Sequence, residues 1–215
     1  MVSAGRLFAN NSSGSGTGTG PVIVNNGGSV LGGTGTIGGS VTANTGAAFL
    51  GGNAVVASGS LKVANNVTMN SGSVIQLVLG PSGSHSTLTR TGGTWTFAPN
   101  QRFTFIDVGA QPGFYDNIIT GLPANPGGTA SWTVTNAGFA VTFAYDGAGN
   151  IDMNIISALG PALPLTRSAS PTTPGGAGIF GDSLPPPGAP AVAFRSRGGN
   201  PPLLFILHHH RVGRS

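Results

Sequence analysis

The chain contains 215 residues, of which 38 are glycine and 16 are proline, and only 7% of its residues are charged. Glutamate is absent and lysine occurs once, although both normally populate exposed helix faces, so a helical bundle is excluded. A hydrophobic content of 39% argues against disorder throughout, and glycine does not recur at every third position as collagen requires. The composition therefore predicts an all-β protein.

The net positive charge of the chain comes from its C-terminal quarter. Residues 1–157 contain four basic and four acidic side chains and are neutral, whereas residues 158–215 contain five arginines and one aspartate, which gives +4. The pI of about 10.8 is thus a property of the second segment. For this reason no nucleic-acid partner is expected for residues 17–157.

Several kinds of site and segment are absent from the sequence. The chain has no cysteine, which excludes disulfides and thiolate metal sites. Its longest apolar run, residues 203–207, is far shorter than the ~20 residues of a membrane helix, so we expect no membrane span in this chain. The first residues also lack the pattern of a secretory signal peptide.

An internal repeat occupies the first third of the chain. Residues 20–33 recur as residues 39–52, at an offset of 19, and a looser third copy spans residues 59–75. Seven aligned positions are identical in the first two copies. These are Gly20/Gly39, Val22/Val41, Asn25/Asn44, Gly27/Gly46, Leu31/Leu50, Gly32/Gly51 and Gly33/Gly52.

Each repeat predicts one coil of a parallel β-helix. A unit of about 20 residues with very short strands cannot bury its apolar face alone, and stacking of copies provides that burial. Asn25 and Asn44 suit the left-handed turn conformation, which asparagine tolerates better than most residues, and stacked asparagine side chains would bond along the axis. We expect inward Val, Leu and Phe in columns, and outward Thr and Ser that keep the exterior polar without charge.

The second half of the body predicts a closing unit. Beyond residue 73 the strands lengthen, and Phe103/Phe105 and Phe139/Phe143 each share a strand face. The connections 135–138 and 145–149 have the composition of hairpin turns. Antiparallel C-terminal hairpins are expected, because an open solenoid end exposes strand edges and core.

Three segments follow from these patterns. Residues 1–16 are predicted to be a flexible Ser/Gly/Asn lead-in, and residues 17–157 a β-helix with closing hairpins. Residues 158–215 hold ten of the 16 prolines and show no alternation, which predicts a disordered Pro/Arg-rich tail.

The sequence predicts no catalytic, cofactor or metal site. The glycines of residues 33–38 match a dinucleotide-binding pattern, but no helix or acidic residue follows as that site requires. Calcium-binding repeats need an aspartate in each coil, and residues 1–106 contain no acid. Asp116 and Asp146 fall in apparent turns, and Asp107 is expected to pair with Arg102, so a lyase or hydrolase site is not favoured.

The remaining candidate side chains are histidines, paired threonines and the two tryptophans. His85 is interpreted as an exposed loop residue, and His208–His210 as an incidental run. Paired threonines such as Thr94 and Thr96 lack the regular spacing of an ice-binding face and fit outward strand positions. Trp95 and Trp132 form either a sugar-stacking surface or the core of the closing cap.

Residues 22–41, continued by 59–63 and 67–75, resemble the autotransporter-associated β-strand repeat of bacterial surface and secreted proteins. The ending, from Trp132 through 138–141 to 150–153, is similar to the final hairpins of such passengers. The resemblance covers about residues 17–157. It implies a right-handed β-helix displayed outside the cell, usually without enzymatic activity.

Two functional hypotheses remain open at this point. The first is a non-enzymatic structural passenger or stalk fragment, located at the cell surface or secreted, that acts in display or adhesion. Its candidate partner is a host or environmental surface or a glycan. The alternative is a carbohydrate-binding or carbohydrate-cleaving β-helix.

Overall fold

A computed structural model of the protein describes residues 1–158, so the tail predicted for 158–215 lies outside the described part except for Ala158. Within this part, 16 strands, numbered β1 to β16 in chain order, form three sheets. Sheet A contains β2 (Val22–Val24), β5 (Val41–Ala43), β8 (Val67–Met69) and β11 (Trp95–Thr96). Sheet B contains β1 (Arg6–Phe8), β3 (Val30–Gly32), β6 (Ala48–Leu50), β9 (Val74–Leu79), β12 (Arg102–Asp107) and β14 (Thr133–Val134). Sheet C contains β4 (Thr36–Ile37), β7 (Ser60–Val63), β10 (Thr87–Arg90), β13 (Gly113–Thr120), β15 (Phe139–Tyr145) and β16 (Asn150–Ala158).

The chain visits the three sheets in a fixed order. It passes from sheet A to B to C and then returns to A one level higher, as in β2–β3–β4 followed by β5–β6–β7. All pairs between successive levels are parallel up to β13. The result is a parallel β-solenoid of about four turns, and the predicted all-β, parallel β-helix fold is confirmed. The only helical elements described are two short 3-10 turns, Pro81–Gly83 and Thr129–Ser131, and no helix in this part is long and apolar enough to cross a membrane.

The predicted offset of 19 holds in sheet A and fails in sheet B. Val22 pairs with Val41, as expected. In sheet B, however, Leu31 pairs with Phe49 and not with Leu50. The first turn, residues 25–29 between β2 and β3, has one more residue than the second turn, residues 44–47 between β5 and β6. A slip of one residue turns every side chain to the other face of a strand. The observed register keeps Leu31 and Phe49 together in the core.

The glycines of these turns show the same slip. Gly46, which the repeat aligned with Gly27, has φ +78°, and the glycine with left-handed backbone in the first turn is Gly28, with φ +84°. Gly46 lies against Gly27, as the repeat aligned them, but the left-handed backbone of the first turn is at Gly28, because that turn has one extra residue. The two positions also differ in space. A Cβ on Gly46 would lie 2.9 Å from the main-chain nitrogen of Gly27, whereas a Cβ on Gly27 would meet no atom within 4 Å.

The exterior is less polar than predicted. Val30, Leu50 and Val78 form a second buried cluster, separate from the main core. Strand alternation places these residues on the outer face of sheet B, opposite to inward neighbours such as Phe49. Ala54 and Ala57, from the segment between β6 and β7, pack against this cluster. The predicted polar exterior is therefore wrong for this part of sheet B, where apolar side chains lie on the outer face.

The segment predicted as a lead-in forms part of the solenoid. Strand β1 pairs in parallel with β3, and Val2 bridges to Val24. The side-chain carbonyls of Asn10 and Asn11 accept hydrogen bonds from the main-chain N–H groups of Thr34 and Thr36, each at 3.0 Å. The structure therefore shows no boundary at residue 17, since residues before it already complete the first coil.

The C-terminal closure is antiparallel, as predicted. Strand β16 pairs antiparallel with both β13 and β15, and residues 146–149 make the hairpin turn. Residues 135–138 do not form a hairpin, because they connect β14 in sheet B to β15 in sheet C.

The predicted phenylalanine pairs meet each other across the interior. The ring centroids of Phe103 and Phe143 are 4.3 Å apart, and those of Phe105 and Phe139 are 5.4 Å apart.

Candidate functional site

The most distinct concave feature of the described residues is a cleft where sheet A stops one level below its neighbours. Sheets B and C each have six strands, whereas sheet A has four and ends at β11. In chain order, the segment between β13 and β14 falls where the next sheet A strand is expected, but it contains Pro123 and Pro126 and leaves a gap beside β11. Proline cannot donate to a strand ladder, and this segment forms no strand.

The resulting cleft has a volume of about 500 Å³. One wall is β11 with the residues that follow it, and the other is the loop before β14. The lining residues are Trp95, Thr96, Phe97, Ala98, Pro99, Pro126, Gly127, Gly128, Ser131 and Trp132. Its size falls in the range of ordinary ligand sites.

Aromatic rings form the floor of the cleft. Trp95 stacks on Phe97 with centroids 5.2 Å apart and planes 8° from parallel, and Phe97 lies 4.9 Å from Trp132. Trp132 continues into the core, at 5.4 Å from Phe103 and 5.7 Å from Phe143. The two tryptophans singled out in the sequence therefore line one cleft. Trp132 is only 7% exposed, so its main role is that of cap core.

Hydrogen bonds hold Trp95 and the neighbouring turn in place. The indole N–H of Trp95 donates to the main-chain carbonyl of Thr120 at 3.1 Å. The Arg90 guanidinium donates to the carbonyls of Gly93 and Gly121. Desolvation of this half-buried guanidinium lowers the pKa of Arg90. These contacts fix the lower wall of the cleft against sheet C.

The cleft offers few polar side chains. Its lining contains no charged residue and only two hydroxyl side chains, those of Thr96 and Ser131. The Ser131 hydroxyl already lies 2.6 Å from the Pro99 carbonyl and 2.7 Å from the Gly128 carbonyl. The polar groups that remain for a ligand are therefore mostly main-chain groups.

The aspartates stabilise local structure. Asp107 accepts hydrogen bonds from the main-chain N–H groups of Gly109 and Ala110 at 2.9 and 2.7 Å. The predicted pair between Asp107 and Arg102 is wrong, because these residues are the opposite ends of β12. Asp152 accepts from the N–H of Asn117 at 2.7 Å.

Asp146 closes the terminal hairpin, in agreement with its predicted turn position. It accepts from the main-chain N–H groups of Ala148 and Asn150 and from the Asn150 side-chain amide, at 2.7, 3.0 and 2.7 Å. The side-chain bond from Asn150, followed by the main-chain bonds, lowers the pKa of Asp146. Asp116 lies within β13 and not in a turn. Among residues 1–158, no group of three or more His, Asp or Glu side chains is placed to hold a metal.

The repeat asparagines are brought into line, as predicted. The Asn44 side-chain amide donates to Asn25, and that of Asn70 donates to Asn44 at 2.6 Å. The ladder thus extends into the third copy. The predicted left-handed backbone at Asn25 and Asn44 is wrong, because in the first turn it is Asn26 that has a positive φ, of 68°. Gly33 has φ +129°, and a Cβ there would overlap the Ala9 carbonyl oxygen. This glycine serves coil packing, and a strand rather than a helix follows it.

Sequence reasoning missed two features of the outer surface. The hydroxyls of Ser60, Thr89 and Thr120 form a line across sheet C, with oxygen distances of 2.8 and 3.0 Å. In the sequence, this line could have been found from the spacing of the three residues, which is about one coil.

His85 is half-buried and not a free loop residue. Its ring meets the ring of Tyr115 edge-on with centroids 6.0 Å apart, and its Nδ1 lies 2.8 Å from the Gly83 carbonyl.

Comparison with known proteins returned no match to a family model, to a curated protein or to a solved structure.

Proposed function

We propose that this protein is a non-enzymatic structural passenger, a β-solenoid stalk that displays or adheres at a bacterial surface or in the secreted fraction. The observation that carries the proposal is the continuous three-sheet ladder. Its strands pair from coil to coil from β1 to β16 around one core cluster that runs through every level. Location outside the cell rests on the resemblance of residues 22–41 and 59–75 to passenger repeats.

The physical properties of the solenoid suit a spacer. Each coil adds the strand separation of about 4.8 Å to the length of the stack. The stack is held by hydrogen bonds parallel to its axis and by columns of apolar side chains, so it resists bending without disulfides. Asp107, Asp146 and Asp152 accept hydrogen bonds from main-chain amides, which supports a structural role for these three aspartates.

Exposure of the native protein on intact cells tests the display part of the proposal. An antibody against residues 17–157 is applied to the organism that encodes the chain, before and after treatment with proteinase K. We expect signal on intact cells that the protease removes, or signal in the medium. Detection only after lysis would contradict the proposal.

A panel of neutral and acidic polysaccharides tests the non-enzymatic part. Incubation with the full chain should produce no new reducing ends and no unsaturated products. Turnover that Asp107→Asn abolishes would instead establish a carbohydrate-cleaving enzyme.

Carbohydrate binding is the second candidate, and the aromatic cleft is the observation that favours it. Tryptophan faces stack on sugar rings, yet sugars also need side-chain hydrogen bonds, and the lining offers only the Thr96 hydroxyl without a partner of its own. A glycan array separates the two candidates. Saturable binding that Trp95→Ala abolishes would favour the second.

A further inference from the structure

We propose that the cleft above β11 accepts an extended, uncharged peptide strand, which adds the missing level of sheet A. This goes beyond a role as a stalk, because it assigns a binding site and the chemical class of its ligand. The occupant is a strand of another polypeptide of two to three residues in ladder contact, the length that strands of sheet A have.

The hydrogen-bonding direction of sheet A supports the proposal. The N–H of Val41 donates to the carbonyl of Asn66 at 2.9 Å, and the N–H of Val67 donates to the carbonyl of Thr94 at 2.8 Å. Val41, Val67 and Trp95 occupy the same register position. Since successive residues of a strand direct their main-chain groups to opposite sides, the N–H and carbonyl of Trp95 face the cleft.

The open edge continues an interface that the protein already uses. Three parallel contacts, β2–β5, β5–β8 and β8–β11, build sheet A level by level. Sheets B and C continue above this level with β14 and β16, so their walls flank the vacant position. A strand that enters there meets the upper side of β11, just as β11 itself meets the upper side of β8, and this is the geometry of β-strand addition.

The chemistry of the lining specifies the ligand. A strand paired with Trp95 directs alternate side chains toward Phe97 and Trp132, where apolar groups become buried. The lining carries no charge to pair with a charged side chain, and burial of an unpaired charge is costly. The main-chain N–H and carbonyl of Trp95 then bond to the main-chain groups of the peptide, which the hydroxyls of Thr96 and Ser131 alone cannot satisfy.

Nuclear magnetic resonance titration of the full-length protein tests the proposal. The probe is acetyl-Asn-Val-Thr-Met-Asn-amide, which copies residues 66–70, the strand that β11 already accepts on its other side. In the expected register, the threonine N–H of the probe donates to the Trp95 carbonyl. We expect saturable shifts of the main-chain amides of Trp95 and Phe97 and of the Trp95 indole N–H.

Two comparisons make the result specific. The same peptide with proline in place of threonine lacks the donor for Trp95 and should bind about tenfold more weakly. Pro99→Arg places a long side chain over the cleft and should weaken binding to a similar degree, whereas Ala124→Arg, on the same loop but outside the lining, should leave it unchanged. If Pro99→Arg fails to fold, the two peptides decide the question on the unmodified chain.

Three results would overturn the proposal. These are the absence of saturable shifts, equal binding of both peptides, and shifts centred away from β11. Cellotetraose and chitotetraose are titrated in parallel, and saturable binding of either sugar without binding of the peptide would assign the cleft to carbohydrate.

Discussion

The repeat coils, residues 22–79, and the closing region, residues 95–158, bury one continuous core by different means. In the coils, inward positions of sheet A hold small aliphatic side chains such as Val22, Val41 and Val67, and glycines allow close approach of successive turns. In the closing region, large rings fill the interior, with Trp132 and Phe143 at its centre.

The difference shows how a solenoid can end. Repetition of one pattern propagates a coil but cannot stop it, since each level exposes the same edge as the one below. Bulky aromatic side chains fill the space above the last regular coil, and the antiparallel strand β16 replaces the next parallel level. The coils therefore depend on backbone fit, and the closure depends on side-chain volume.

The largest effect is expected in the closing region. Phe103→Ala removes a fully buried ring that contacts Trp132 and Phe143, and the loss should be about 3–5 kcal/mol. Urea denaturation of the full chain measures this change. Phe114→Ala, at a ring that is 71% exposed, is the matched control and should stay within about 0.5 kcal/mol. Equal effects of the two variants would show that ring packing does not stabilise the closure.

A backbone test addresses the coils. A Cβ at Gly39 would overlap the Gly20 carbonyl oxygen, whereas one at Gly27 would meet no atom within 4 Å. Gly39→Ala should therefore lower the free energy of unfolding by about 1–3 kcal/mol. Gly27→Ala should be neutral or slightly stabilising, because alanine restricts the unfolded chain. If both alanines are tolerated, close approach of the coils is not what the repeat glycines provide.

The asparagine ladder should contribute less. Asn44→Ala removes both side-chain bonds of the ladder, to Asn25 and from Asn70, and about 1 kcal/mol is expected because these bonds are partly exposed. Asn70→Ala removes only one bond and should cost roughly half as much. Thermal or urea unfolding of both variants measures the ratio. A larger effect for Asn70 than for Asn44 would contradict additive stacking along the axis.

The smallest effect concerns the pH dependence of the closing hairpin. The pKa of Asp146 is lowered from 3.8 in the folded state, so its contribution is present above 3.8 and is lost as the pH falls through the lowered value. Asp146→Asn should be less stable than the unmodified chain at neutral pH, and this difference should shrink in acid. Unfolding curves between neutral and strongly acidic pH test this. A difference that grows in acid would reverse the assigned sign.

The sequence allowed much of the fold to be predicted. Alternation at Val22 and Val41 and the spacing of Asn25 and Asn44 were enough for parallel coils and a stacked ladder, because both depend on local pattern and a constant period.

The register of sheet B was predicted incorrectly, and the left-handed glycine of the first turn is Gly28, although the repeat aligned Gly27 with Gly46. Identity favoured Leu31 with Leu50, while packing selected Phe49. One extra residue in the first turn accounts for both differences, because it shifts the alignment from 19 to 18 positions between the turn and the strand that follows.

The candidate site was less accessible to sequence reasoning. Trp95 and Trp132 were noted as a pair of aromatic residues, but their common cleft depends on the failure of residues 121–132 to form a strand. Two prolines in that segment were the available signal. Their consequence depends on the position of the segment at the missing level of sheet A, which the sequence does not specify.

By itself, the sequence determined an all-β solenoid, the zero net charge of its body and its antiparallel end, since composition and periodicity act through short-range preferences. Only the tertiary structure decided that residues before 17 join the first coil, that sheet B carries an outer apolar cluster, and that sheet A stops early. These features depend on contacts between strands about one coil or more apart. Such contacts are set by the packing of the whole stack, which no local pattern encodes.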